Sequence, residues 1–180
     1  MTILVCPLSR VSDMVESRQP IRVISILDPD FTFPDLGPKY DGRHLRLRFH
    51  DVHAPANGSV LPSAHHIDEL LCFLSAWEDG SLLLIHCRAG IGRSPAIAFV
   101  AACWRNPNAD EREIARTLRR VAPLARPNEI LVTLADTAMK RDGRMSDAIA
   151  ETGRELQWIE VDEGVPFEMP SVHGDAGSAQ

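Results

Sequence analysis

Lysine is nearly absent from this chain: Lys39 and Lys140 are the only two among 19 basic residues, the rest being arginine. Aromatic residues make up 6% of the chain, and Tyr40 is the single tyrosine. The four cysteines, Cys6, Cys72, Cys87 and Cys103, include no C-x-x-C pair, which argues against a zinc ribbon or a thioredoxin-type site. No apolar run approaches the ~20 residues of a membrane-crossing helix, so no span is expected. The opening MTILVCPLSR has no charged stretch ahead of its apolar residues and reads as a first strand rather than a signal peptide. A surplus of positive charge is also missing. The net charge is −6, yet residues 1–150 hold 18 basic and 18 acidic residues, and the last thirty hold one arginine against seven acids. A neutral body lacks the basic face that nucleic acid requires, so no nucleic-acid partner is expected. Unpaired thiols suit a reducing, cytoplasmic compartment. A monomer is the simplest assembly.

With 180 residues, 44% hydrophobic and 24% charged, the chain suits one domain with a full-sized core. Strands are expected at Ile3 to Cys6 and at Ile21 to Leu27, whose IRVISIL run is apolar and β-branched. His44 to His50 alternates, with Leu45, Leu47 and Phe49 on one face and His44, Arg46, Arg48 and His50 on the other. Ser81 to His86 (SLLLIH) is a near-continuous apolar run, as in a central strand buried on both sides. Asp28 to Gly42 is dense in Asp and Pro turn markers and reads as a loop. Helices are expected over Ser9 to Glu16, from a Ser63 cap to Trp77, over Ser94 to Arg105, from Asp110 to Val121, from an Asn128 cap to Arg141, and over Met145 to Arg154. The order implies an α/β fold with a central, mostly parallel sheet flanked by helices. Residues 1–153 form the domain and residues 154–180 an acidic, mobile tail.

The chemistry concentrates in His86-Cys87-Arg88-Ala89-Gly90-Ile91-Gly92-Arg93-Ser94, between the central strand and a small-residue helix. A loop that wraps a phosphate turns consecutive backbone N–H groups inward, and Gly90 and Gly92 permit that curl. It ends at a helix N-terminus, where partial positive charge favours an anion. Cys87 is then a thiolate candidate, because such surroundings lower a thiol from ~8.5 to roughly 3.5–7.5. Arg93 can close the cradle with a planar fork that matches two phosphate oxygens. The Ser94 hydroxyl can donate to the departing thiolate, and His86 fixes the loop by hydrogen bonds. A buried small hydrophobe would explain Cys87 alone, but not Gly90, Arg93 and Ser94 at their spacing.

These residues resemble the H-C-x-x-G-x-x-R-S/T signature of the protein tyrosine phosphatase superfamily, nearest to its dual-specificity and small bacterial members. The resemblance implies a phosphatase domain over residues 1–153 with the dual-specificity type of fold. It implies hydrolysis of phosphate monoesters, foremost protein phosphotyrosine, through a phosphocysteine on Cys87, with no metal and no cofactor. His86, Arg88, Ala89, Gly90, Ile91, Gly92 and Arg93 would bind the phosphate. The family takes its general acid from a loop well before the cysteine. Asp51, 36 positions before Cys87 and just past the alternating strand, matches that placement. Asp28, Asp30, Asp35 and Asp41 fall too early, and Asp68 and Asp79 lie on or after a helix. The partner is a phosphorylated protein or a small phosphomonoester. Inositol phosphates or phosphoinositides stay open as substrates, and so does a non-catalytic phosphate-binding module.

Other residues have plainer explanations. His50, His53, His65 and His66 lack metal-ligand spacing and fit a solvated loop and helix start. Arg43, Arg46 and Arg48 read as an exposed strand face, with a basic approach for phosphorylated substrates as the alternative. Arg88 is expected at the rim, where it could attract acidic flanks. Arg112, Arg116, Arg119 and Arg120 read as a solvated helix side. Arg126-Pro127-Asn128 reads as a capped helix start that could also pack beneath the loop. Tyr40 could stand in for a substrate-stacking tyrosine only on slender grounds. Cys72 and Cys103 fall on presumed core faces, and Cys6 could neighbour Cys87 closely enough for a protective disulfide.

Overall fold

A computed structural model of the protein describes residues 2–52, 54, 57–153 and 162–173. Strands β1 (Thr2–Pro7), β2 (Arg22–Leu27), β3 (His44–Arg48) and β4 (Leu82–Cys87) run parallel, and β5 (Phe167–Pro170) runs antiparallel beside β1. The spatial order is β3-β2-β4-β1-β5, so the apolar β4 is central, as its unbroken hydrophobicity requires. The helices are α1 (Val11–Arg18), α2 (Ala64–Ser75), α3 (Arg93–Arg105), α4 (Glu111–Val121), α5 (Glu129–Ala138) and α6 (Arg144–Gly153). Among the described residues no helix is long and apolar enough to cross a membrane.

Strand side chains alternate between two cores. Ile3, Val5, Ile24, Ile26, Leu83, Ile85 and Cys87 join Phe99 and the buried faces of α2 to α6. Leu4, Cys6, Val23 and Leu84 face the other way, with Val11 of α1 and Tyr40. The helix after β4 is buried almost all round: every residue from Arg93 to Cys103 is buried. Alanines at 96, 98, 101 and 102 let it approach β4 and β1 closely, and Pro95 is tolerated because first-turn N–H groups need no intrahelical partner. Side chains cap α4 and α5 as the sequence suggests: Asp110 accepts from the Arg112 N–H and Asn128 from the Leu131 N–H.

Three expectations change. Part of the tail is ordered structure: Phe167–Pro170 pairs with β1, with Met169 buried against Ile3. Its alternation is too short to read beside the surrounding Gly, Pro and acids, and only the free edge of β1 selects it. Residues 154–161 and 174–180 of that tail lie outside the described residues. Cys72 is exposed rather than packed, because Ile67, Leu70 and Leu74 take the buried face of α2. Helix α5 ends at Ala138, short of Arg141. Arg141 instead turns inward, where it donates to Glu111 (2.9 Å), Cys103 O and Pro107 O.

The tight seat of α3 sets a test. Ala98→Leu adds three carbons where no space exists, and such overpacking costs about 1–3 kcal/mol. Urea denaturation should show that loss as a lowered midpoint with an unchanged slope.

Candidate active site

The carboxyl ends of parallel strands meet at one sheet edge, where α/β proteins gather their ligands. Here β2 delivers Asp28, β3 leads through Phe49 to Asp51, and β4 ends on Cys87. The turn Arg88–Gly92 then enters α3 at Arg93.

Cys87 is 1% exposed, and its sulfur sits inside the turn. The Gly90 N–H donates to Cys87 Sγ at 3.2 Å, and Ser94 Oγ lies 3.2 Å from the same sulfur. The sulfur thus faces an inward-pointing amide and the first turn of a helix, surroundings that favour an anion. The two glycines serve different ends. Gly90 has φ +75°, and a Cβ there would come within 3.0 Å of Pro7 N, so both backbone angle and β1 demand glycine. Gly92 has an ordinary φ of −106°; a Cβ there would stand 2.3 Å from Asp51 Oδ2. Its missing side chain is the room into which Asp51 fits.

Arg93 is 3% exposed. One guanidinium nitrogen donates to Asp28 Oδ1 (2.9 Å) and to the Phe49 carbonyl (2.7 Å), while Nε lies 3.7 Å from Asp51 Oδ2. Nε is buried and makes no hydrogen bond to the protein. Asp51 is held from its other side: Asn128 Nδ2 donates to Asp51 Oδ1 (2.9 Å) and to Val52 O (3.0 Å). Asn128 is fully buried, and the backbone around it clips the turn, since Arg126 N–H donates to Ile91 O and Asn128 N–H to Gly92 O. The segment Arg126–Asn128 therefore does pack beneath the loop. Arg119, expected in solvent, supports it by donating to Pro123 O and Ala125 O.

His86 is fully buried on the opposite sheet face from Cys87. Ser25 Oγ lies between two imidazoles, 2.5 Å from His86 Nε2 and 2.6 Å from His44 Nε2. A hydroxyl has one proton, so one ring donates to Ser25 and the other accepts from it. Burial pushes both imidazoles down to about 4, helped at His44 by the Arg46 charge.

A cleft of about 670 Å³ opens over the turn, bordered by Asp28, His50, Asp51, Arg88, Arg93 and Asp162. The structure thus brings together Cys87, Arg93, Ser94 and Asp51. It adds Asp28, which the sequence set aside as too early for the acid, Asn128, read there as a cap that could pack beneath the loop, and Asp162, which lies far off in sequence.

Several residues sit elsewhere. The Arg88 guanidinium stacks on Phe31, 5.0 Å from the ring centre. Arg48 donates to Pro29 O and Phe31 O and covers Phe33. Tyr40 is buried on the α1 face and donates to Pro20 O, so it stacks on nothing in the cleft. His66 and His50 accept backbone N–H bonds from Ser63 and Val60, which accounts for them locally. Among the described residues no cluster suited to a metal ion occurs, and His53 lies outside them. Cys6 does not face Cys87: the register pairs Cys6 with His86 and Pro7 with Cys87, so the thiols project from opposite sheet faces. All four cysteines are free.

No protein-family model matches the chain, and no curated protein sequence does. Solved structures do match. The phosphatase domain of Yvh1 from Chaetomium thermophilum superposes with a TM-score of 0.57 at 15% identity, over 79% of this chain and 93% of that one. DUSP15 gives 0.53 at 17% identity, over 86% and 92%. The fold is that of the protein tyrosine phosphatases. PTPMT1, solved in complex with PI(5)P, shares it with a TM-score of 0.54 at 15% identity, over 77% and 90%. At such identities the likeness establishes the phosphatase fold, and the chemistry rests on the residues just described.

The buried imidazoles set a pH test. A histidine in the unfolded chain titrates near ~6.5, so between that value and about 4 the unfolded state binds more protons. The stability tied to neutral His86 is whole above about 6.5 and drains as pH falls, by about 1.4 kcal/mol per unit. Denaturation midpoints measured from pH 7 to 4 should fall more steeply for the natural protein than for His86→Asn. Ser25→Ala, which strips a partner from both rings, should cost about 1–3 kcal/mol at pH 7.

Proposed function

We propose that this protein is a cysteine-dependent phosphatase that hydrolyses phosphate monoesters, foremost phosphotyrosine in proteins. One observation carries the reading: the Cys87 sulfur lies inside a turn where the Gly90 N–H donates to it and the Ser94 hydroxyl lies 3.2 Å away, with Arg93 and Asp51 bordering the same cleft. In the first half-reaction the Cys87 thiolate attacks phosphorus, forming an S–P bond as the P–O bond to the leaving group breaks. The departing oxygen takes a proton from the Asp51 carboxyl. Inward amides and Arg93, whose buried Nε lacks a protein partner, stabilise the equatorial oxygens. In the second, Asp51 takes a proton from water as that water attacks phosphorus and frees the thiolate, and Ser94 donates to the sulfur as it leaves.

Asn128 acts here as a positioning residue, fixing the Asp51 carboxyl above Gly92. Asp28 positions Arg93 in the same sense, rather than serving as an acid. A phosphoinositide is the second reading, supported by the fold shared with PTPMT1, whose complex holds PI(5)P. A module that only binds phosphate fits less well, because nucleophile, arginine and acid are all in place.

Purified protein should hydrolyse p-nitrophenyl phosphate in the presence of EDTA, since the chemistry calls on no metal. Cys87→Ser should abolish turnover while still binding oxyanions; full activity in that variant rules the mechanism out. Asp51→Asn should lower kcat by about 10²–10⁴-fold for alkyl leaving groups and much less for p-nitrophenol, which departs without protonation. Asn128→Ala should reproduce a weaker form of the Asp51→Asn pattern, with kcat falling more than KM rises.

A further inference from the structure

The rim of the cleft carries information about the charge of its substrate. Among the described residues, the cations near the phosphate seat are already engaged. Arg93 is matched by Asp28 and faces Asp51. Arg88 lies on the Phe31 ring, and Arg48 is tied to two backbone carbonyls. No lysine borders the cleft. Against this, the C-terminal segment delivers a further carboxylate. Pairing of β5 with β1 brings the chain back beside the catalytic turn. The Gly164 N–H then donates to the Ala89 carbonyl at 2.7 Å. The fit is close, because a Cβ on Gly164 would meet Gly90 O at 3.1 Å. Two residues earlier, Asp162 is exposed at the cleft border, and among the described residues it makes no ion pair.

We infer that Asp162, held at the rim by the strap of Gly164 on Ala89, makes this site select phosphopeptides whose flanking residues are cationic. The inference rests on the phosphatase reading for the identity of the anion that the seat holds. The seat supplies one arginine, the loop amides and a helix N-terminus, enough for a single phosphate. A second phosphate or an acidic flank at the rim meets the Asp162 carboxylate, and the exposed Arg88 there is stacked on Phe31. A flanking arginine meets Asp162 with attraction. At a solvated rim such pairs bias affinity and association rate modestly, and salt screens them.

The test uses the full chain carrying Cys87→Ser, which reads binding without turnover. Phosphotyrosyl peptides flanked by arginine, alanine or glutamate are titrated calorimetrically at low salt, beside an inositol bisphosphate. The arginine-flanked peptide should bind about three- to tenfold more tightly than the glutamate-flanked one, with the advantage fading in 0.5 M salt, an ionic strength of roughly a 4 Å screening length. Adding Asp162→Lys should bring that ratio to unity or invert it. Equal affinities, a ratio that Asp162→Lys leaves unmoved, tighter binding of the inositol bisphosphate, or no binding of any peptide would each overturn the inference. Turnover is read separately: should the natural protein leave p-nitrophenyl phosphate intact while the binding order holds, hydrolysis falls and the rim selection stands.

Discussion

A cation sealed inside the protein organises this edge of the sheet. Removing a guanidinium from water costs several kcal/mol unless oxygen atoms surround it. Arg93 finds them on two segments: the Asp28 carboxylate after β2, and the Phe49 carbonyl with the nearby Asp51 carboxylate after β3. The arginine thus ties α3 to the ends of two strands that also meet each other, through the Phe49 N–H on Leu27 O and Arg48 on Pro29 O and Phe31 O. The same tie explains the lean of Asp51 over the turn and the absence of a side chain at Gly92. Truncating Arg93 would leave the Asp28 carboxylate without its ion-pair partner.

The sheet divides the labour between its faces. Cys87 belongs to the large helical core, while the neighbouring His86 belongs to a small polar row with Ser25 and His44 on the α1 side. Adjacent residues on one strand thus serve opposite environments. The arrangement also keeps Cys6 away from Cys87, since it shares the face of His86. Beneath the turn, Arg126–Asn128 and Arg119 form a second layer of backbone hydrogen bonds that holds the loop from the helical side.

Much of this was legible in the chain. Apolar runs, strand alternation and capping residues pointed to the four parallel strands and the six helices. The H-C-x-x-G-x-x-R-S pattern pointed to the turn, and the placement of the acid that the family resemblance implies pointed to Asp51, which the structure brings to Arg93 and Gly92. What escaped were contacts made across long stretches of sequence by residues with ordinary local roles. Asn128 reads as a helix cap, and nothing in its neighbourhood announces a second bond to Asp51. Asp28 reads as a turn residue until β2 is known to lie beside β4. Phe167–Pro170 is too brief to show periodicity, and Arg119 and Cys72 differ from expectation because helix rotation, not composition, decides which side is covered.

The burial of α3 has a final consequence. Arg93 and Ser94 stand in the first turn of a helix that is enclosed along most of its length, and Cys87 ends the central strand. Cys87 and Arg93 are therefore part of the core itself, and neither can shift by a fraction of an ångström without repacking the interior. Adaptation to a new substrate is left to what surrounds the mouth: the Asp-Pro-rich stretch after β2, the span after Asp51, and the returning C-terminal strand. Chemistry and recognition are thereby assigned to parts of the molecule with very different freedom to change.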